Sequence, residues 1–428
     1  MKSKWTYKKS KQKLGISNFG GLSAVKNVWD TLEIDHHMQE LGFTKEGISV
    51  NTLAFTYTCK PFTGSASNIQ LANNVPDAVF STVSGLTSIN DSTISRFIND
   101  GRFHWLDLQE ALIKDLINSY TPAQIAKSIV IVDDTIMQKF GITMEGVTKL
   151  YDHSKDTYGI SYNIVAVIWH IEKNVYPLLF EFQLKENDGK WTKNDIAAAM
   201  LKKVIRMGIR PRAVVMDGAY FNRKIISVLD ELKVPWVAKC RLDRRMSCDG
   251  YDSWAANIAW SIPETEFKPH VNHHKMRYAS RNVTIKDHGE MLLVTFIRKG
   301  ERILLVGSSQ SMTADSVITI YKQRWLIETF FRDNKQNIGW SEYHGKKFIG
   351  VNNHIFFNFL AYFIIANFRR ISESLSKLTV GQILKDVIKS KCQMSGKKRI
   401  SYIFDFDFKF LDALNEVSRY THFGIYGN

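Results

Sequence analysis

Apolar positions recur at helical spacing from about residue 22 to 120, with Gly and Pro marking the breaks. Inside that stretch, "FSTVSGLTSINDSTISRFINDG" (80–101) predicts a short helix, a Gly-containing turn and a second helix capped by Asp91 or Ser92. The second helix would present Ser92, Ser95 and Arg96, groups suited to phosphate or base-edge contacts. From 125 to 240 the pattern changes to short β-branched runs alternating with amphipathic helices. "SIVIVDD" (128–134), "GISYNIVAVIWHI" (159–171) and "VYPLLFEFQL" (175–184) read as three strands, antiparallel by their short connections. A helix (194–208), a strand (212–217), a helix (223–232) and a fifth strand (234–240) follow. The order β-β-β-α-β-α-β predicts an α/β fold, a mixed sheet with helices on its faces.

Between 241 and 310 the runs "NVTIKD", "EMLLVTFIRK" and "RILLVGSS" alternate as strands do, so this segment reads as a β-rich insertion. Helix resumes at about 313 and continues to about 372. The expected organisation is a basic arm with a helical region (1–122), a core in two parts (123–240 and 311–372) interrupted by the insertion (241–310), and a C-terminal region (373–428) without an assigned role.

Charge narrows the partners. With 57 Lys and Arg against 42 Asp and Glu, the net charge is +15, which favours nucleic acid or an anionic membrane. The most apolar run, "HIFFNFLAYFIIANF" (354–368), falls short of the 18 to 20 residues a span needs and carries Asn358 and Asn367, so a core helix is expected and no membrane partner. The Lys-rich arm at 1–14, with Trp5 and Tyr7, is either a solvated tail or a grip on phosphates. Four cysteines without a CxxC pair fit a reducing, cytoplasmic setting, and the start "MKSKWTYKKSKQK" lacks the apolar segment of a secretory signal. No GKS/T loop is present, so no nucleotide cofactor is expected. The C-x7-C spacing of Cys240 and Cys248, with His270, His273 and His274 nearby, fits no common structural zinc site.

Candidate chemistry sits at strand ends and on one helix. Asp133 and Asp134 follow "SIVIV", and Asp217 follows "RAVVM", where side chains leave a sheet for solvent. Taken alone, each is as well explained by a turn or cap. In "YKQRWLIETFFRDNK" (321–335), read as one helix at about 100° per residue, Tyr321, Arg324, Glu328 and Lys335 fall within an arc of about 60°. Apolar residues fill most other directions, so this polar stripe either lines a site or hides an Arg324–Glu328 pair with Lys335 reaching solvent. A third carboxylate brought to the two strand-end acids would make an oxygen-only site for Mg²⁺ or Mn²⁺, where two ions can drive in-line phosphoryl transfer.

The set Asp133, Asp217 and Glu328, with Tyr-x2-Arg-x3-Glu-x6-Lys in "YKQRWLIETFFRDNK", resembles the bacterial insertion-sequence DDE transposases that carry the Tyr-Arg-Glu-Lys signature. The resemblance covers about 125–370 and implies a ribonuclease-H-like core with a β-rich insertion between the second Asp and the Glu. It implies that Asp133, Asp217 and Glu328 are catalytic and hold two Mg²⁺ or Mn²⁺ ions, and that Tyr321, Arg324 and Lys335 contact DNA phosphates. The family pattern D-x-[S/T] is met by "DDT", which favours Asp133 with Asp134 as the alternative; strand alternation turns Asp134 the other way. Partners implied are double-stranded DNA, as transposon ends and target, and a second copy of the chain in a synaptic homodimer. Arg96 joins the expected DNA contacts from the helix-turn-helix reading. Some relatives stack a flipped base on a Trp of the insertion; Trp254 and Trp260 match no such spacing, and core packing is expected for both. The rival readings are a DNA-binding regulator with a decayed site and a hydrolytic nuclease on the same core.

Overall fold

The computed structural model describes residues 15–139, 143–152, 156–184, 191–271, 273–286, 288–298, 300–308, 312–389, 391–395 and 399–402. The Lys-rich arm and the end of the tail lie outside them. The chain divides into two compact units, a helical one (up to Leu108, Gln336–Gly345 and from Ile349 onward) and a sheet-based one (Gln109–Lys335 and Lys346–Phe348).

In the helical unit, α1 (Ala78–Ser84) begins at Asp77, whose carboxylate accepts from the backbone of Val79 and Phe80, and ends at Gly85 with φ of 74°. The second helix of the pair, α2 (Asp91–Ile98), buries Ile94, Phe97 and Ile98 and leaves Ser92, Ser95 and Arg96 exposed. Its N-cap is Asn90 rather than the expected Asp91 or Ser92, because Asp91 already belongs to the first turn. Gly15–Ser17 pairs with Cys392–Ser395, which pairs with Arg399–Tyr402, so part of the unassigned tail forms a small sheet with the N-terminal segment.

The apolar run at 354–368 extends in both directions as a single 24-residue helix, Phe348–Ile371. By length and composition alone it could cross a membrane, a correction to the shorter span read from sequence, but 83% of its apolar window is buried. Trp105 stacks on Phe356 and meets Phe357 edge-on, while Tyr57 Oη lies 3.0 Å from His354 Nδ1. A charge is sunk in this core. Lys60 is 2% exposed, its ammonium 5.9 Å from the Tyr57 ring centroid. Burial lowers its pKa to about 8, with Glu342 opposing. The folded state therefore disfavours the ammonium, a penalty fully present below pH 8 and relieved as pH rises from 8 to 10.5. Lys60→Met should raise stability at pH 7, by at most about 3 kcal/mol. Thermal unfolding at pH 7 and 10.5 checks this: the gap to the native protein should close at the higher pH.

Of the expected core, 336–345 and the helix from Ile349 fall in the helical unit, whereas the sheet unit holds the strands expected between 125 and 240. Its strands are β1 (Ile129–Gln138), β2 (Thr148–Asp152), β3 (Thr157–Ile171), β4 (Asn174–Gln183), β5 (Ala213–Met216) and β6 (Trp236–Lys239). Helix α3 (Lys193–Arg206) precedes β5 and α4 (Arg223–Glu231) precedes β6. The order β4-β3-β1-β5-β6, with β1, β5 and β6 parallel and the first three antiparallel, is the ribonuclease-H-like arrangement. Strand β3 is buried along nine consecutive residues, as a strand covered on both faces must be.

The insertion continues the same sheet. Its strands are β7 (Arg245–Cys248), β8 (Tyr251–Trp254), β9 (Lys268–His270), β10 (His273–Thr284), β11 (Glu290–Arg298) and β12 (Glu301–Ser308). The return strand β12 pairs antiparallel with β6 through Val237↔Gly307 to Lys239↔Leu305, giving a mixed sheet of 12 strands. Trp254 and Trp260 are 42% and 53% exposed, so the expected core packing is corrected for both: they lie on and beside a hairpin at the sheet's outer edge. Arg245 covers the Trp254 ring at 4.3 Å.

Candidate active site

The two strand acids are brought together by register. Strands β1 and β5 are parallel and pair from Ile129↔Ala213 to Val132↔Met216, so Asp133 and Asp217 follow side by side where that ladder stops. Neighbouring strands lie about 5 Å apart, which sets the scale of the separation. Asp133 is not at a strand end, as the sequence reading had it. Strand β1 runs on to Gln138 because the 15-residue β3 continues to pair with it after β5 has ended. Gly218 then passes close to β6, where an added Cβ would lie 3.2 Å from the Lys239 carbonyl oxygen.

The segment bearing the other candidates is two helices, α5 (Ala314–Lys322) and α6 (Trp325–Asp333), not one. Gln323 and Arg324 form the junction, where three-residue hydrogen bonds replace the α-helical pattern. His170 Nδ1 lies 2.6 Å from Gln323 Oε1 and holds the junction to β3. Helix α5 packs on the sheet over Gly307, where a Cβ would approach Val317 Cγ2 to 2.8 Å. Trp325 is 60% exposed, a departure from the apolar surround inferred from sequence, whereas Ile327, Phe330 and Phe331 are buried. Lys335 lies in a π-helical turn, Asn334–Ile338, that follows α6.

Despite the break, three of the four signature residues meet. Arg324 Nη1 donates to Asp133 Oδ2 over 2.9 Å and Nη2 donates to Glu328 Oε1, and the guanidinium lies 5.9 Å from the Tyr321 ring centroid. Lys335 Nζ donates to Thr135 Oγ1 over 2.6 Å, on the same strand as Asp133. Both sequence alternatives for the stripe are therefore present in one arrangement: it faces the acids, and Arg324 pairs with Glu328. Among the described residues, no three His, Cys, Asp or Glu side chains form a group able to hold a metal ion. The Arg324 guanidinium stands between Asp133 and Glu328 and is the cation those two carboxylates share.

Electrostatic crowding marks the site. Burial, and then Asp134, pushes the Asp133 carboxyl up to about 7, with Arg324 opposing and Asp217 adding. Burial pushes the Tyr321 hydroxyl up to about 12. Asp134 is engaged elsewhere: its Oδ1 accepts from Lys193 Nζ (2.8 Å) and Tyr220 Oη (2.7 Å). Sequence reasoning missed these partners. The only signal was Tyr220, three residues beyond Asp217 in "DGAYF". A cavity of about 720 Å³ opens beside Arg324, its floor apolar (Phe296, Ile303, Leu305) and its edge formed by Lys239, Tyr321 and Trp325. Arg96 lies in the helical unit, its Nε 3.3 Å from the Ser92 carbonyl oxygen.

A family model described as "Transposase DDE domain" matches residues 125–364, more than half of the chain. No curated protein matches in sequence. Among solved structures, one similar to this chain is the piggyBac transposase synaptic complex with hairpin DNA. It has 10% identity and a TM-score of 0.46, covering 97% of this chain and 87% of that one.

Proposed function

Because this chain belongs to the DDE transposase family, we propose that it binds the terminal inverted repeats of its own element, cleaves there and joins the freed 3′-hydroxyl strands to target DNA. What carries the reading is the adjacency of Asp133 and Asp217 across the β1–β5 register, with Arg324 linking Asp133 to Glu328. Enzymes of this family generally use divalent metal ions. The residues fit such an ion in chemistry: an all-oxygen donor set suits a hard cation, and a divalent charge would oppose the burial and the neighbouring acids that raise Asp133. Asp133, Asp217 and Glu328 would hold two Mg²⁺ or Mn²⁺, which when bound supply charge stabilisation at the attacking and leaving oxygens. Glu328 cannot serve Arg324 and a metal fully at once, so Arg324 would exchange its carboxylates for a DNA phosphate, a match to its planar fork.

The remaining surfaces support DNA as the partner. Tyr321 and Lys335 flank the acids, and the neighbouring cavity sets the cations Lys239, Lys322 and Arg324 beside an apolar lining. In the helical unit, exposed Ser92, Ser95 and Arg96 on α2 would read the element's ends. Joining two ends calls for at least two copies of the chain. Oligonucleotides carrying the element's ends, incubated with the protein and Mg²⁺ or Mn²⁺, test the proposal: cutting and joining are expected. Cutting without joining would identify a hydrolytic nuclease, and binding without either a regulator.

A further inference from the structure

Asp134 differs from Asp133 in what it touches. Alternation along β1 turns the two side chains to opposite faces, and Asp134 meets two donors there. The Tyr220 hydroxyl belongs to a fully buried side chain. Its own backbone N–H bonds the Asp217 carbonyl at 3.0 Å, closing the turn 217–220. Lys193, the other donor, is the first residue of α3, and its ammonium also lies 5.3 Å from the Tyr220 ring centroid. Thr192 caps that helix together with Asp195, and Asp195 pairs with Lys224 in the first turn of α4. One carboxylate thus gathers the strand bearing Asp133, the turn bearing Asp217 and the N-terminus of α3.

We propose that Asp134 is a positioning residue, a clamp that fixes the Asp217 turn against β1 through Tyr220 and Lys193. The inference rests on the reading of Asp133 and Asp217 as the reacting acids. It follows from a simple asymmetry: β1 is held along ten residues by β3, whereas the backbone of Asp217 lies past the last paired residue of β5. Ladder hydrogen bonds fix the first acid; the second needs side chains to hold its loop. A charge-assisted bond to a buried phenol and an ammonium is a short, directional way to do so.

Tyr220→Phe and Asp134→Asn test the clamp, since both keep the shape of the side chain. Each should slow single-turnover cleavage of end oligonucleotides by about 10–100-fold, the usual cost of losing a partner that orients a ligand. Affinity for the same ends should stay within about twofold, which separates positioning from binding. Independently of activity, amide hydrogen exchange in the 216–222 peptide should speed up in both variants and not in Asp133→Asn. Native exchange and native cleavage in Tyr220→Phe would overturn the proposal. So would Asp134→Asn abolishing cleavage as completely as Asp133→Asn while exchange stays native, because Asp134 would then be the reacting acid itself. If the native protein cuts no DNA, the functional reading fails, and the exchange measurement alone decides the clamp.

Discussion

Glu328→Gln should abolish both cutting and joining of end oligonucleotides while leaving their binding intact. The substitution keeps the length of the side chain and removes its charge. Loss of a residue that merely orients a ligand costs about 10–100-fold, so loss of a ligand itself should cost more than about 100-fold. Binding should survive because Glu328 faces Arg324 and the acids, whereas the exposed polar residues of α2 lie in the helical unit. Rates and gel-shift affinities measured on one oligonucleotide separate the two effects. Cleavage within tenfold of native would remove Glu328 from the reacting set and leave its contact with Arg324 as a structural pair.

Arg324→Ala should be the most destabilising change at the site, and the loss should grow with pH. The guanidinium is the shared partner of two partly buried carboxylates, and removing one member of such a group costs about 2–3 kcal/mol, somewhat below the fully buried limit. The sign follows from Asp133, whose folded pKa of about 7 stands above the unfolded value of 3.8. At pH below 4 the carboxyl is protonated in both states and contributes nothing unfavourable. As pH rises from 4 to 7 the unfolded chain releases that proton while the folded one retains it, and stability is lost. Arg324 opposes this rise, so without it the loss continues to higher pH. Melting temperatures of Arg324→Ala should therefore fall further below native at pH 8 than at pH 5. Equal deficits at the two pH values would mean that the guanidinium does not hold Asp133. Arg324→Lys should recover part of the stability, because an ammonium cannot span both carboxylates as a planar fork does.

Much of the sheet was legible because its signals are local. "SIVIV" and "RAVVM" are β-branched runs with acids behind them, and β-β-β-α-β-α-β follows from strand and helix periodicity, which missed only the short β2 that pairs with the start of β3. What escaped depended on pairing. That β1 passes through Asp133 instead of ending there is decided by the length of β3, some 30 residues away. The break at Gln323–Arg324 was hidden because neither residue is a helix breaker; His170, from another strand, holds Gln323 there. Trp325 looked like core by composition, yet lies 60% exposed at the first turn of α6. The hairpin tryptophans failed for a related reason: an outer edge offers a large aromatic only one covered face.

The small sheet that joins Gly15–Ser17 to Cys392–Ser395 bears on the order in which the protein matures. Chains emerge from the ribosome N-terminus first, and domains generally fold as units. The sheet unit is almost continuous between Gln109 and Lys335, so its strands are all available before the helical unit is complete. The helical unit is not: its first segment waits for the long helix Phe348–Ile371 and for the strand at Cys392. Until the strand at Cys392 has been made, Gly15–Ser17 have no edge to join. A nascent chain thus has every strand of the sheet unit before the small sheet of the unit that carries Arg96 can close.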